Sequence, residues 1–214
     1  MAKPTRAILY SFRRCPYAMR ARMALLSSQI SVELREVLLR DKPACLLNYS
    51  AKGTVPVLVT TDDQVIDESR DIIIWALQQN DPEQLLRADQ LSLNQLIDQN
   101  DGDFKANLDR YKYADRYPEK SQLEYRREGE KFLALLEQRL SAHTYLIDNQ
   151  PSVADIAIFP FIRQFALVDK TWFDGSQYKN LRRWLNTFLT SPMFEYCMQK
   201  QAPWRYGDKP IVFQ

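Results

Sequence analysis

One cysteine near the start of the chain has the neighbours expected of a reactive thiol. Cys15 follows a short apolar run at residues 7–10 and stands directly before Pro16, which opens a helical pattern. Proline is favoured at the first position of a helix because its missing N–H would have no partner there. Cys15 is therefore predicted at or beside the N-cap, where free N–H groups and the helix dipole favour a thiolate. Cysteines in such places can have a pKa between ~3.5 and ~7.5, compared with about 8.5 for a free thiol.

The residues around Cys15 help to decide between a reactive and a purely structural thiol. A lone cysteine is most often a small buried apolar residue. Here cations near the predicted helix start also favour a thiolate, and they are Arg13, Arg14, Arg20 and Arg22. Ala18 stands where a Cys-x-x-Cys motif would place a second thiol, so Cys15 has no local disulfide partner. The pattern favours a reactive thiol that works without a neighbouring cysteine.

Two further stretches carry groups that a ligand could use. Val55 and Pro56 come directly before a predicted strand, where proline cannot donate a hydrogen bond to the sheet. A cis bond there would free the Val55 backbone to face a ligand, although the sequence alone favours trans because only ~5% of X-Pro bonds are cis. Glu68 and Ser69 precede a helical pattern and predict either a simple helix cap, with Ser69 as the N-cap, or a polar cluster for a ligand.

Composition excludes several classes of function. The chain has 214 residues, of which 45% are apolar, enough for one large domain or two small ones. The formal net charge is +2, so no field of one sign indicates binding to nucleic acid or to an anionic membrane. No stretch approaches the ~18 consecutive apolar residues of a membrane span. Residues 1–4 are not followed by the long apolar run of a secretory signal.

The numbers of cysteines and histidines bear on location and on metals. Cys15, Cys45 and Cys197 are odd in number and far apart, which is typical of free thiols in a reducing cytoplasm. We interpret Cys45 and Cys197 as structural. His143 is the single histidine, and one histidine argues against a zinc site. We therefore expect a cytoplasmic protein without a metal centre.

The spacing of apolar residues predicts an α/β domain at the N-terminal end of the chain. Its predicted elements are strands at 7–11, 32–37, 57–60 and 64–66 and helices at 16–28, 43–47 and 70–79. The first two strands and the helix between them make a βαβ unit with a parallel pair. The last two strands make an antiparallel hairpin.

After residue 80 the strand signals stop and helical patterns take over. Long helices are predicted at 88–112 and 119–141, and Ser152 with Asp155 resembles a capping box at the start of another helix. The tail from Lys200 onwards is predicted to be irregular but packed. The expected organisation is a first domain at residues 1–80, a linker at 81–87 and an all-helical domain at 88–214.

With these residues placed, the chain resembles the cytosolic glutathione transferase superfamily over essentially its whole length. It is similar in particular to the omega-like, cysteine-type branch. Five short motifs in the family's order carry the resemblance: the active-site segment at 11–18, Lys42-Pro43, Val55-Pro56, Glu68-Ser69 and the capping box at 152–155. Each motif is weak alone, but five at the right spacing are specific together. The segment at 111–118 matches no well-defined class, so the pocket for a second substrate is not identified.

The resemblance implies a fold and a glutathione site. The fold is an α/β thioredoxin-like N-terminal domain plus an all-α C-terminal domain that supplies the substrate pocket. Glutathione, the implied cosubstrate, would meet Lys42 at its glycyl carboxylate. Its cysteinyl part would pair with the backbone of Val55, beside a cis Pro56. Its γ-glutamyl group would be held by Glu68 and Ser69.

The residues and the resemblance together predict a glutathione-dependent enzyme with Cys15 as its catalytic residue. Without a local partner thiol, Cys15 would act through a mixed disulfide with glutathione, in thiol transfer or reduction. The second substrate would be a small molecule or a protein disulfide, and members of the family are commonly homodimers. One alternative is a glutathione-conjugating transferase, isomerase or lyase, for which Tyr10 and Ser11 offer hydroxyls near the same point. The other is a non-catalytic binding module with this fold.

Overall fold

A short, largely apolar stretch near the N-terminus forms the central strand of a mixed β-sheet. The computed structural model describes residues 5–214, and within this range five strands form one sheet in the order β4-β3-β1-β2-β5. The strands are β1 (Ala7–Ser11), β2 (Val32–Glu36), β3 (Val57–Val59), β4 (Val65–Ile66) and β5 (Ile211–Phe213). β1 and β2 are parallel, and β3 and β4 form an antiparallel hairpin, as predicted. The first four residues, on which the argument about a secretory signal rested, lie outside the described residues.

Helices cover both faces of this sheet because side chains along a strand alternate between its faces. Leu9 of β1 packs in one apolar cluster with residues of helices α1 (Pro16–Ser27) and α3 (Ser69–Gln79). Tyr10, the next residue, packs in a second cluster with Leu46 of the short helix α2 (Ala44–Tyr49). The sheet thereby fixes the chain on either side of Cys15, since β1 ends at Ser11 and α1 begins at Pro16.

The rest of the chain up to residue 191 is helical. Its helices are α4 (Gln90–Gln99), α5 (Lys105–Lys112), α6 (Gln122–Ala142), α7 (Val153–Ala166), α8 (Lys170–Gly175) and α9 (Lys179–Leu189). The single helix predicted at 88–112 is interrupted by a π-helical segment, Asn100–Phe104, in which Gly102 leaves helical geometry (φ −90°, ψ −105°). Glycine allows this departure because it has no Cβ. No helix in the described part of the chain is both long and apolar enough to cross a membrane.

The predicted capping box at the start of α7 is present, and its acid has more partners than a cap requires. Asp155 is fully buried and accepts hydrogen bonds from the Ser152 backbone N–H and hydroxyl at 2.9 and 2.8 Å. Its other carboxylate oxygen accepts bonds from the Leu146 N–H at 3.0 Å and the Trp184 indole N–H at 2.8 Å. Burial raises the pKa of Asp155, and these hydrogen bonds oppose that shift.

The C-terminal segment differs from the prediction, which assigned it to the helical domain as an irregular tail. The chain divides into one unit that contains residues up to Glu83 together with Pro192–Gln214, and a second unit at Gln84–Ser191. Helix α10 (Pro192–Cys197) packs on α1, and β5 pairs with β2 from Phe213 opposite Val32 to Ile211 opposite Leu34. A three-residue strand is too short for its alternation to stand out in a sequence. It satisfies backbone groups that would otherwise be exposed at the edge of β2.

Candidate functional site

Cys15 lies at the N-cap of α1, as predicted. It has extended backbone angles (φ −73°, ψ 123°), Pro16 begins the helix, and the Cys15 carbonyl accepts a bond from the Met19 N–H at 2.9 Å. The Cys15 side chain is part-buried, and its Sγ lies 3.6 Å from the carbonyl oxygen of Val55. The thiol is therefore at the positive end of a 12-residue helix and beside the loop that precedes β3.

The loop before β3 brings two more of the predicted residues close to Cys15. The Val55-Pro56 peptide bond is cis, as the resemblance implied and as the sequence alone did not favour. Gly53 is buried with φ +60°, and a Cβ added to it would lie 3.6 Å from the Lys42 ammonium nitrogen. Lys42 itself is exposed. The Cys15 sulfur therefore lies beside Val55 in this loop, and the Lys42 ammonium group lies close to Gly53 in the same loop.

The start of α3 carries the other two predicted residues, Glu68 and Ser69, but the N-cap is not the residue that was predicted. The N-cap is Glu68, without a side-chain capping bond, and Ser69 is the first helical residue. The prediction that Ser69 is the N-cap is therefore wrong. The buried Ser69 hydroxyl instead accepts a bond from Arg20 Nε at 3.1 Å.

A lysine that the sequence analysis missed lies at the same place. Lys52 Nζ is 2.6 Å from Glu68 Oε1 and 3.0 Å from Asp67 Oδ1. The contacts with Glu68 and Asp67 both raise the pKa of Lys52, and the contact with Glu68 has the larger effect. Hydrogen bonds from the Ser50 hydroxyl and from Lys52 lower the pKa of Asp67. No sequence spacing relates position 52 to position 68, because only the fold of the β3–β4 hairpin brings the two together.

The two hydroxyls considered as alternatives to Cys15 are both buried and bound to other groups. Tyr10 is fully buried. Its hydroxyl donates to Cys45 Sγ at 3.3 Å and accepts from Arg35 Nη1 at 2.7 Å. Burial, followed by the bond to Cys45, raises the pKa of Tyr10. The Ser11 hydroxyl is also fully buried and accepts a bond from Arg22 Nη1. Neither hydroxyl is arranged to activate a ligand thiol.

The arginines near Cys15 do not all have the role that the sequence indicated. Arg20 and Arg22 are 2% and 1% exposed. Arg20 stacks on the Tyr17 ring and donates to Ser69, whereas Arg22 donates to Ser11, to Cys197 and to the Arg13 carbonyl. These two buried guanidinium groups therefore also organise the backbone and side chains around the thiol through hydrogen bonds. Within residues 5–214, no group of three or more His, Cys, Asp or Glu side chains could hold a metal ion.

Comparison with known proteins identifies the family. The model of the glutathione S-transferase N-terminal domain matches residues 9–84, and that of the glutathione S-transferase C-terminal domain matches residues 101–192. Together these matches cover most of both units of the chain. The protein therefore belongs to the glutathione S-transferase superfamily, and the predicted thioredoxin-like plus all-helical fold is confirmed.

Two of the similar proteins are named as omega-class glutathione transferases. A segment of 61 residues is 39% identical to glutathione S-transferase omega-2 of Homo sapiens, and it spans 28% of this chain and a quarter of that protein. The fold of glutathione transferase Omega 3C from Trametes versicolor matches with a TM-score of 0.77 at 19% identity, covering 93% of this chain and 91% of that one. A glutathione S-transferase from Methylobacillus flagellatus KT, solved with GSH bound, matches with a TM-score of 0.78 at 22% identity, covering 89% and 98%.

Proposed function

We propose that this protein is a glutathione-dependent thiol transferase or reductase that works through a mixed disulfide between Cys15 and glutathione. The observation that carries the proposal is the position of the part-buried Cys15 sulfur at the N-cap of α1. The N–H groups of the first helical turn have no partners within the helix and favour a negative charge at this point. The same position is suited to a nucleophilic thiolate.

The proposed reaction consists of two thiol–disulfide exchanges. In the first, the Cys15 thiolate attacks the glutathionyl sulfur of a mixed disulfide. A bond forms between Cys15 and glutathione while the old disulfide breaks, and the substrate leaves as a reduced thiol. In the second, a glutathione thiolate attacks the Cys15 adduct, which gives oxidised glutathione and regenerates the Cys15 thiolate. Each cycle therefore consumes one reduced glutathione, because the other glutathionyl group of the product comes from the mixed disulfide, and no second protein thiol is needed.

The glutathione site would extend from Cys15 in two directions. Lys42 would bind the glycyl carboxylate, and the Val55 backbone beside Pro56 would pair with the cysteinyl part. At the other end, Glu68 would bind the γ-glutamyl amine, while Ser69 and the first N–H groups of α3 would bind its carboxylate. In this structure, Lys52 forms an ion pair with Glu68. We propose that Lys52 moves to the γ-glutamyl carboxylate when glutathione binds.

Reduction is favoured over conjugation by the charges that the two reactions require. Conjugation needs a glutathione thiolate in the site, and a thiolate at Cys15 would repel a second one. The buried Tyr10 and Ser11 hydroxyls are poorly arranged to replace Cys15 in that task. A conjugating transferase, an isomerase or a lyase is the second candidate. A binding module is third, because it would not need a reactive thiol and a glutathione site together.

The remaining expectations follow from the family and from the free thiols. We propose a homodimer, with a small molecule or a protein disulfide as the second substrate and glutathione as the cosubstrate. Cys15, Cys45 and Cys197 are thiols that are not paired in disulfides, which supports a reducing compartment such as the cytoplasm. We propose no role for nucleic acid, for a membrane or for a metal.

The proposal is tested by thiol transfer from a small glutathione mixed disulfide, with Cys15→Ser as the test variant and Cys45→Ser as the matched control. Cys45 is also a part-buried thiol, and it accepts a bond from the Tyr10 hydroxyl, so the same change is made in a similar setting. We expect Cys15→Ser to lose the activity and Cys45→Ser to keep it. Equal activity of Cys15→Ser and the wild-type protein would rule out the mechanism. Faster conjugation of an aryl halide than thiol transfer would favour the second candidate.

A further inference from the structure

Buried charged side chains hold the backbone just before Cys15 from two sides. The Arg13 N–H donates to Glu36 Oε1 at 2.8 Å, and the Arg13 carbonyl accepts from Arg22 Nη2 at 2.8 Å. Glu36 is 9% exposed and Arg22 is 1% exposed. Both polar backbone groups of Arg13 are therefore bound by side chains from β2 and α1. We call Glu36 and Arg22 the loop brace.

Cys15 is joined to the loop brace through a single tight turn. The Cys15 N–H donates to the Phe12 carbonyl at 3.0 Å, which closes the turn around Arg13. The Val37 N–H donates to the Ser11 carbonyl at 2.7 Å and fixes the other end of the turn on β2. A rotation of the Arg13 backbone would therefore move the Cys15 sulfur relative to α1. The loop brace is placed to prevent that rotation.

The C-terminal segment covers the loop brace. The Trp204 N–H donates to the Glu36 carbonyl at 2.8 Å, and the Met198 carbonyl accepts a bond from Arg13 Nη1 at 3.3 Å. Burial raises the pKa of Glu36, and the bond from the Arg13 N–H together with the charge of Arg22 opposes that shift. A buried carboxylate costs free energy unless it is well paired. Its use to bind one backbone N–H points to a need for an accurately held loop.

We propose that Glu36 is a positioning residue for Cys15: with Arg22, it fixes the turn at residues 12–15 so that the thiol stays at the N-terminus of α1. The inference rests on the proposed role of Cys15 as the nucleophile. When the carboxylate is removed, the Arg13 N–H loses its acceptor and the turn relaxes. The Cys15 sulfur then leaves the field of the helix N-terminus, and a smaller fraction of it is ionised at neutral pH.

The test is the rate of Cys15 alkylation by iodoacetamide as a function of pH, quantified by mass spectrometry on the Cys15 peptide of the full chain. Glu36→Ala removes the acceptor, whereas Glu36→Gln removes the charge and keeps an oxygen that can accept from the Arg13 N–H. We expect the midpoint for Glu36→Ala to rise by about one pH unit, which is a roughly tenfold lower rate below the midpoint. We expect Glu36→Gln to match the wild-type midpoint.

Two outcomes overturn the inference. If Glu36 acts only through its charge, both variants lower the midpoint in parallel, because a nearby negative charge disfavours the thiolate. If Glu36 is merely structural, both variants lose thermal stability and leave the midpoint unchanged. Should Glu36→Ala fail to fold, Arg22→Lys keeps the charge but has one terminal nitrogen in place of the two that reach Ser11 and Arg13, and we expect it to raise the midpoint as well. An unchanged midpoint in Arg22→Lys would count against the loop brace.

The same experiment separates this inference from the proposed function. If Cys15 alkylation in the wild-type protein has its midpoint at about pH 8.5, the value of a free thiol, then the proposal of a reactive thiol at Cys15 is itself contradicted. A low wild-type midpoint that Glu36→Ala leaves in place contradicts only the positioning role of Glu36.

Discussion

Glu68 offers a sharp test of how glutathione binds at the start of α3. We expect Glu68→Gln to weaken the binding of reduced glutathione, because the amide cannot neutralise the γ-glutamyl amine. The Glu68 side chain is 63% exposed, which places its contribution at the low end for a charged hydrogen bond, about 1.5 kcal/mol. A loss of that size corresponds to a roughly tenfold higher Kd.

The matched control for this change is Asp71→Asn. Asp71 is an exposed acid in the first turn of the same helix, so its replacement removes the same charge from the same helix end. We expect Asp71→Asn to change the Kd by less than about twofold, since an exposed charge that makes no contact with the ligand contributes little. Isothermal titration calorimetry with reduced glutathione measures both variants directly.

A glutathione analogue with an acetylated amine identifies the contact. If Glu68 binds the amine, Glu68→Gln weakens the binding of glutathione but leaves the binding of the acetylated analogue unchanged. Equal losses in Glu68→Gln and Asp71→Asn would mean that only the general charge of the helix end matters. An equal loss for both ligands in Glu68→Gln would mean that Glu68 serves the fold and not the amine.

Three further changes test the site and the helical unit. In calorimetry, Lys42→Ala should weaken the binding of glutathione and leave unchanged the binding of glutathione esterified at its glycyl carboxylate. An equal loss for the two ligands would contradict the proposed contact between Lys42 and the glycyl carboxylate. Asp155→Asn places an NH2 group where one carboxylate oxygen accepts two buried bonds, such as those from Leu146 and Trp184, and should lower the free energy of unfolding in urea by about 2–6 kcal/mol, whereas a loss below about 1 kcal/mol would refute the role of its four bonds. Gly129→Ala should cost about 1–2 kcal/mol of stability, because the new Cβ would lie 2.5 Å from Phe165 Cε2, and a stabilised variant would contradict the tight packing.

Much of the first unit could be predicted because its signals are local in sequence. The βαβ unit and the hairpin follow from period-two and helical patterns that each occupy fewer than about 15 residues. Cys15 at the N-cap follows from its position directly before Pro16. The capping box at Ser152 and Asp155 is likewise a short motif. The cis bond at Val55-Pro56 needed the resemblance, since the sequence alone favours trans.

The features that could not be predicted depend on contacts between distant parts of the chain. β5 pairs with a strand about 180 residues earlier, and three residues carry no usable periodicity. Lys52 reaches Glu68 only after the hairpin forms. Glu36 did have a local signal: the alternation of β2 places positions 32, 34 and 36 on its buried face, and a glutamate there is unexpected. An acid on the apolar side of a predicted strand next to the site could have indicated the loop brace.

The most direct measurement of the central claim is the trapping of glutathione on the protein. The wild-type chain is incubated with oxidised glutathione, and the adduct is counted by intact-protein mass spectrometry and located by peptide mapping. We predict one glutathione per chain, bound at Cys15 and released by a reductant, with no such adduct in Cys15→Ser and a normal one in Cys45→Ser. A wild-type protein that forms no adduct, or forms it only at Cys45 or Cys197, would contradict the proposal that Cys15 exchanges disulfides with glutathione.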